Sequence, residues 1–138
     1  MTSDRAPDAE IGVMEYRELG ETGLKVSRLG FGASPLGDVF GTTDPAEGRR
    51  AVELAIERGV NFFDVSPYYG LTLAEERLGQ ALVGKREEIV LATKCGRYGK
   101  AQFDFSAPGI TAGLDGLRGP CDRSPKALDL GVVAADHH

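Results

Sequence analysis

Asp64, Tyr69 and Lys94 are the residues of this 138-residue chain whose types and spacing suit proton transfer. Asp64 ends the apolar run that opens the stretch NFFDVSPYYG, and two tyrosines follow before Gly70. Lys94 ends the next apolar run, 30 residues further on (94 − 64). A free phenol has a pKa near ~10, too high to release protons readily at neutral pH. A neighbouring ammonium favours the phenolate, and a carboxylate paired to that ammonium holds it in place. The three residues therefore suit a phenol used as general acid on a carbonyl oxygen, while hydride reaches the carbon. No side chain supplies hydride, so this chemistry implies a nicotinamide cofactor. The plainer reading is a structural ion pair between neighbouring strands, with Tyr69 as a rim aromatic.

Such a trio works only if strand ends bring it together. EYRELG, ETG and LKVSRLGFG read as a β-hairpin followed by a strand, with Glu21-Thr22-Gly23 at the turn. GASPLGDVFG is a glycine-rich loop. Asp44 as N-cap, Pro45 at the first helical position and Glu47 closing a capping box then open a helix. Ala51, Val52, Ala55 and Ile56 give that helix its apolar stripe, and Gly59 suits its C′ position. Asn61–Val65 is a short buried-type strand. Thr72 and Glu75 read as a second capping box, opening a helix lined by Leu78, Ala81 and Leu82 and ended by Gly84. Glu88–Thr93 is another such strand. The middle of the chain is thus β-α-β-α-β. It fits either an open doubly wound sheet or a (β/α)₈ barrel, and in both, function gathers at the carboxyl ends of the strands.

Bulk properties narrow the partners. Apolar residues make up 41% and charged residues 27%, a globular balance, and the net charge is −5. Without a concentrated basic patch, neither nucleic acid nor an anionic membrane is expected as partner. No apolar run approaches a membrane span, and residues 1–13 lack the apolar core of a secretory signal. Those residues read as a disordered leader, with Met14 as an alternative start. Cys95 and Cys121 form neither a disulfide framework nor a C-x-x-C pair, so a reduced, cytoplasmic setting is the default. No metal-ligand set is expected.

Five stretches carry a more specific signal: YRELGETGLKVSRLGFGASPLG, GVNFFDVSPYYG, AEERLGQAL, IVLATKCGRY and FDFSA. From Tyr16 to about Asp115 the chain resembles the N-terminal part of the aldo-keto reductase family. ASPLG, FDVSPYYG, KCGRY and FDFSA are similar to its sugar-oxidising, L-galactose dehydrogenase-like branch. The resemblance implies an α/β fold, a partial (β/α)₈ TIM barrel with an N-terminal hairpin, about three β/α units and room for a fourth strand. It implies hydride transfer between NAD or NADP and the carbonyl or alcohol of an aldehyde or sugar. Carried over residue by residue, it makes Asp64, Tyr69 and Lys94 catalytic. Tyr68 is then the neighbour of the acid. Gly32, Ala33 and Ser34, with Asp64, become the residues beside the nicotinamide and its ribose.

The resemblance stops short in two respects. A family histidine at the end of the fourth strand would fall near Val132, and the chain's histidines are His137 and His138. A full barrel also needs ~250 residues. The composition shifts near Leu117 and Pro108-Gly109 suit a third helix poorly. The expected organisation is therefore a leader over residues 1–13, a partial barrel over 14–116 and a divergent, poorly ordered tail over 117–138. The expected origin is a truncated or frameshifted reading of a longer gene.

Overall fold

The computed structural model describes residues 12–118. The leader before residue 12, and the tail with Cys121, Val132, the expected fourth strand and both histidines, lie outside the described residues. Strands β1 (Tyr16–Glu18) and β2 (Lys25–Ser27) form an antiparallel hairpin. Strand β3 (Phe31–Gly32) is followed by a short 3₁₀ turn, Ser34–Gly37, and helix α1 (Pro45–Glu57). Strand β4 (Phe62–Asp64), helix α2 (Leu73–Ala81), strand β5 (Val90–Ala92) and helix α3 (Ala107–Arg118) complete the order. β3, β4 and β5 form one parallel sheet with β4 in the middle. These are the hairpin and three β/α units of part of a (β/α)₈ barrel, as expected.

Local chemistry explains most boundaries. Asp44 accepts from the backbone N–H of Ala46 and Glu47 at 2.7 and 3.1 Å, so α1 starts where its cap dictates. At the other end, Gly59 N–H donates to Ile56 C=O and Val60 N–H to Ala55 C=O, both at 2.9 Å. That double bond is a Schellman motif, and its left-handed residue is Gly59 at φ +88°. The apolar stripe of α1 runs through Gly48, Val52, Ala55 and Ile56, while Ala51 faces solvent. The stripe therefore passes one position away from the expected alanine. A β-carbon at Gly48 would meet Leu36 at 2.8 Å, so the glycine admits that side chain.

Two helix starts correct the sequence reading. Thr72 precedes α2 but adopts φ +79° and makes no capping bond. Its hydroxyl donates to Glu76 instead, at 3.2 Å. Glu75, expected to close the box, is turned inward and only 6% exposed. The reason is packing: the tight Tyr68–Leu71 turn sets the entry angle of α2 before any cap can form. At α3, Pro108 falls in the first turn, where its missing N–H costs nothing. Ser106 Oγ accepts from Gly109 N–H at 3.1 Å, so SAPG is a good helix start rather than a poor one.

The core lies between the sheet and the two helices. Phe63, Val65, Val52, Leu78 and Leu82 are its largest fully buried side chains. Phe31 and Phe63 stack across β3 and β4 with centroids 5.2 Å apart. Asn61, at the amino end of β4, fastens the hairpin beneath this core. Its carboxamide accepts from Ser27 N–H at 2.6 Å and donates to Lys25 C=O at 2.9 Å, and its own N–H donates to Ser27 Oγ at 3.0 Å. With that end covered, the carboxyl ends of the strands are the open face. Among the described residues no helix is long and apolar enough to cross a membrane.

Candidate active site

The parallel ladder sets Gly32, Asp64 and Ala92 side by side at the carboxyl ends of β3, β4 and β5. Two residues past Ala92, Lys94 turns back toward β4. Its Nζ donates to both Asp64 carboxylate oxygens, at 3.1 and 2.9 Å, and approaches Val65 C=O at 3.4 Å. The lysine side chain is 14% exposed and the aspartate 43%, so the ammonium is the more enclosed partner. Burial works against its charge, but the hydrogen bond and charge of Asp64, joined by Tyr69, outweigh burial. The Lys94 pKa is held above its ordinary value.

Tyr69 completes the group. Lys94 Nζ lies 5.0 Å from the centroid of its ring. The tyrosine is held by a turn rather than by a regular element. Its N–H donates to Ser66 C=O at 3.1 Å, Tyr68 N–H reaches Ser66 Oγ at 3.2 Å, and Thr72 N–H closes on Pro67 C=O at 2.8 Å. Gly70, at φ +66°, lets this turn press against the 3₁₀ turn after β3. There a β-carbon on Gly37 would stand 2.5 Å from Tyr69 C=O. That 3₁₀ turn is itself tied to α2: Arg77 donates to Leu36 C=O and to Asp38 Oδ1, both at 2.8 Å. The Thr43 backbone N–H and then Arg77 hold the Asp38 pKa below its ordinary value.

Gly32, Ala33 and Ser34 border the same face. Ala33 is buried, and its N–H donates to Asp64 C=O at 2.8 Å, continuing the ladder past the strand. Gly32 is exposed, with nothing within 4 Å of where a β-carbon would lie. A flat ring or ribose can therefore approach the backbone beside the Asp64 carboxylate. A separate cavity of about 480 Å³ opens between α2 and α3, bordered by Pro67, Glu75, Tyr98 and Asp104. Neither Asp64, Lys94 nor Tyr69 lines it. The cluster of Asp64, Tyr69 and Lys94 thus forms a partly exposed shelf at the strand ends, apart from that cavity.

A sequence profile of the Aldo/keto reductase family matches residues 28–130. The chain belongs to the aldo/keto reductase family. Over 105 residues it is 52% identical to L-galactose dehydrogenase of Arabidopsis thaliana, spanning 74% of this chain and 33% of that protein. It is 41% identical over 76 residues to D-threo-aldose 1-dehydrogenase of Pseudomonas sp, spanning 54% of this chain and 23% of that one. The holo form of aldo-keto reductase AKR11C1 from Bacillus halodurans matches with a TM-score of 0.66 and 35% identity, over 76% of this chain and 35% of that one. The chain thus spans about a third of the length of the L-galactose dehydrogenase and AKR11C1 that it resembles.

Within this aldo/keto reductase fold, the structure brings Asp64, Tyr69 and Lys94 into one cluster and sets Gly32–Ser34 along its border. Two features of the site escape the sequence reading. One is the Gly37–Gly70 contact, because crossing of two distant loops leaves no periodic trace. The other is Arg97, whose guanidinium lies 3.7 Å from the Tyr68 ring centroid and 5.3 Å from that of Phe103. The only sequence signal for it is an arginine three residues past the strand-end lysine.

Proposed function

We propose that the chain carries the acid–base half of an aldo/keto reductase site, for NAD(P)-dependent hydride transfer between a nicotinamide and the carbonyl or alcohol of a sugar or aldehyde. The observation that carries this reading is the Lys94–Asp64 pair lying against the Tyr69 ring at the strand ends. A nicotinamide would supply or accept the hydride. Gly32, Ala33, Ser34 and Asp64 would border it, and the open space over Gly32 fits a flat ring. Tyr69 gives its proton to the carbonyl oxygen as the carbon becomes an alcohol, and takes it back in oxidation. Lys94 stabilises the phenolate left behind, and Asp64 fixes the lysine. The names of the two sugar dehydrogenases above support a sugar as substrate.

A second reading is a non-catalytic piece that serves as an interaction module. It is favoured by the sheet: among the described residues β3 and β5 are each paired on one side only. Such edges are templates for further strands. Fluorescence titration of the full chain with NADPH, followed by turnover assays with L-galactose or short aldoses, separates the two. Cofactor binding with Tyr69-dependent turnover supports the enzyme. Absence of binding at millimolar cofactor removes the enzyme reading for this polypeptide.

A further inference from the structure

Successive tyrosines at the site each carry a cation from the segment after β5. Lys94 lies over Tyr69, and Arg97 lies over Tyr68. Their charges are treated differently. Lys94 is neutralised by the Asp64 carboxylate. Arg97 forms no ion pair or hydrogen bond with any described residue, and its Nε is buried without an acceptor. Its guanidinium carbon lies over two rings, 3.7 Å from the Tyr68 centroid and 5.3 Å from that of Phe103. Aromatic stacking fixes a guanidinium's orientation and leaves its N–H edge for an acceptor. The antiparallel bridge between Arg97 and Phe103 holds the backbone of this segment as well. The arginine is therefore pre-oriented and charged, and its donors lack a protein partner among the described residues.

We propose that Arg97 is the anchor for an anionic oxygen group on the substrate, a carboxylate or a phosphate monoester carried by a sugar or aldehyde. A planar fork of N–H donors matches both groups bidentately, and a neutral hydroxyl gains little from it. Its stacking on Tyr68, the residue next to Tyr69, sets the anchor on the loop that carries the acid. The proposal rests on the strand-end shelf being the substrate site, as put forward above, and adds the charge of what binds there.

The test needs no turnover. The full chain, labelled with ¹⁵N, is titrated with D-glucuronate, D-glucose 6-phosphate and neutral D-glucose while the arginine Nε–H resonances are followed. Arg97 is assigned by the resonance lost in Arg97→Lys. A saturable shift of that resonance with either anionic sugar, at least tenfold tighter than any shift with D-glucose, is the expected result. Whichever anion binds identifies carboxylate or phosphate as the group. Arg97→Lys keeps the charge but loses the fork, and should weaken the same titration, read on backbone amides, by tenfold or more. An unmoved Arg97 resonance with both anions, an equal response to D-glucose, or a response to NADPH alone would overturn the proposal. Anion binding without any turnover would leave it standing while removing the redox reading. Turnover of neutral sugars with no anion response would do the reverse.

Discussion

Gly37 and Gly70 meet backbone to backbone, joining the turn after β3 to the turn that carries Tyr69. A β-carbon on either would overlap main-chain atoms of the other loop, which have no side-chain freedom to give way. Gly37→Ala should therefore destabilise by about 1–3 kcal/mol, as overpacking does, and Gly70→Ala by more because its φ is also left-handed. Urea unfolding checks both. Gly32→Ala, with open space at its β-carbon, should leave the midpoint within about 0.5 kcal/mol of the parent. If Gly37→Ala were as mild as Gly32→Ala, the loop contact would be wrong.

Tyr69→Phe removes the proton but keeps the ring that lies beside Lys94. Turnover should fall by about 10²–10⁴-fold while cofactor affinity and unfolding midpoint stay near the parent values. Lys94→Met should reduce turnover on the same scale, and its stability cost should be small because Asp64 remains partly exposed to water. Steady-state kinetics on the purified variants decides this. A Tyr69→Phe protein retaining most of its rate would exclude Tyr69 as the acid.

Stability should depend on the protonation of Glu75. Burial is the main cause that raises its pKa from the ordinary 4.5 to about 7, opposed by its hydrogen bond from Thr93. The folded state then binds more protons than the unfolded one between those values, so stability falls as pH rises through that window. The loss is on the order of 3 kcal/mol between pH 4.5 and 7. Asp38 and Asp104 have lowered values and act in the opposite sense, below the ordinary carboxylate range, so the windows are separate. Glu75→Gln should flatten the curve, matching the parent near pH 5 and exceeding it near pH 8. Melting temperatures at both pH values measure the difference, and a flat parental profile would contradict the assignment.

Asn61→Ala should loosen the hairpin without touching the strand ends. The two side-chain hydrogen bonds, from Ser27 N–H and to Lys25 C=O, are lost, and the Ser27 N–H is left without that acceptor. A cost of about 2–3 kcal/mol is expected, with hydrogen exchange accelerating first in Tyr16–Ser27. Tyr16, whose hydroxyl donates to Gly59 C=O at 2.7 Å, supplies a second fastening. Uniform acceleration across the chain would mean that the hairpin is not a separable layer.

The order of elements was legible in the sequence because its signals are local. Asp44-Pro45, Gly59 and the apolar runs before Asp64 and Lys94 each act within a few residues of themselves. The pairing of Asp64 with Lys94 was legible too, since one β/α unit returns the chain to the neighbouring strand end. Thr72 departs from its capping preference because a tight turn overrides it, and Pro108 suits α3 because it falls in the first turn, where no N–H is needed. Gly37 against Gly70 and Arg97 against Tyr68 depend on how loops from different units cross. No periodicity encodes that.

β4 is the middle strand of the sheet, paired to Gly32 on one side and Ala92 on the other through Asp64. The carboxylate therefore takes its position from two ladders at once, and Lys94 takes its position from the carboxylate. Disturbance at the β3 edge of the sheet reaches this pair only after breaking a full strand pairing, whereas the β5 edge leads directly into Lys94. In terms of protein recombination, the strand-end trio is a transferable cassette: a cross-over made before β3 or beyond Lys94 carries its geometry along whole.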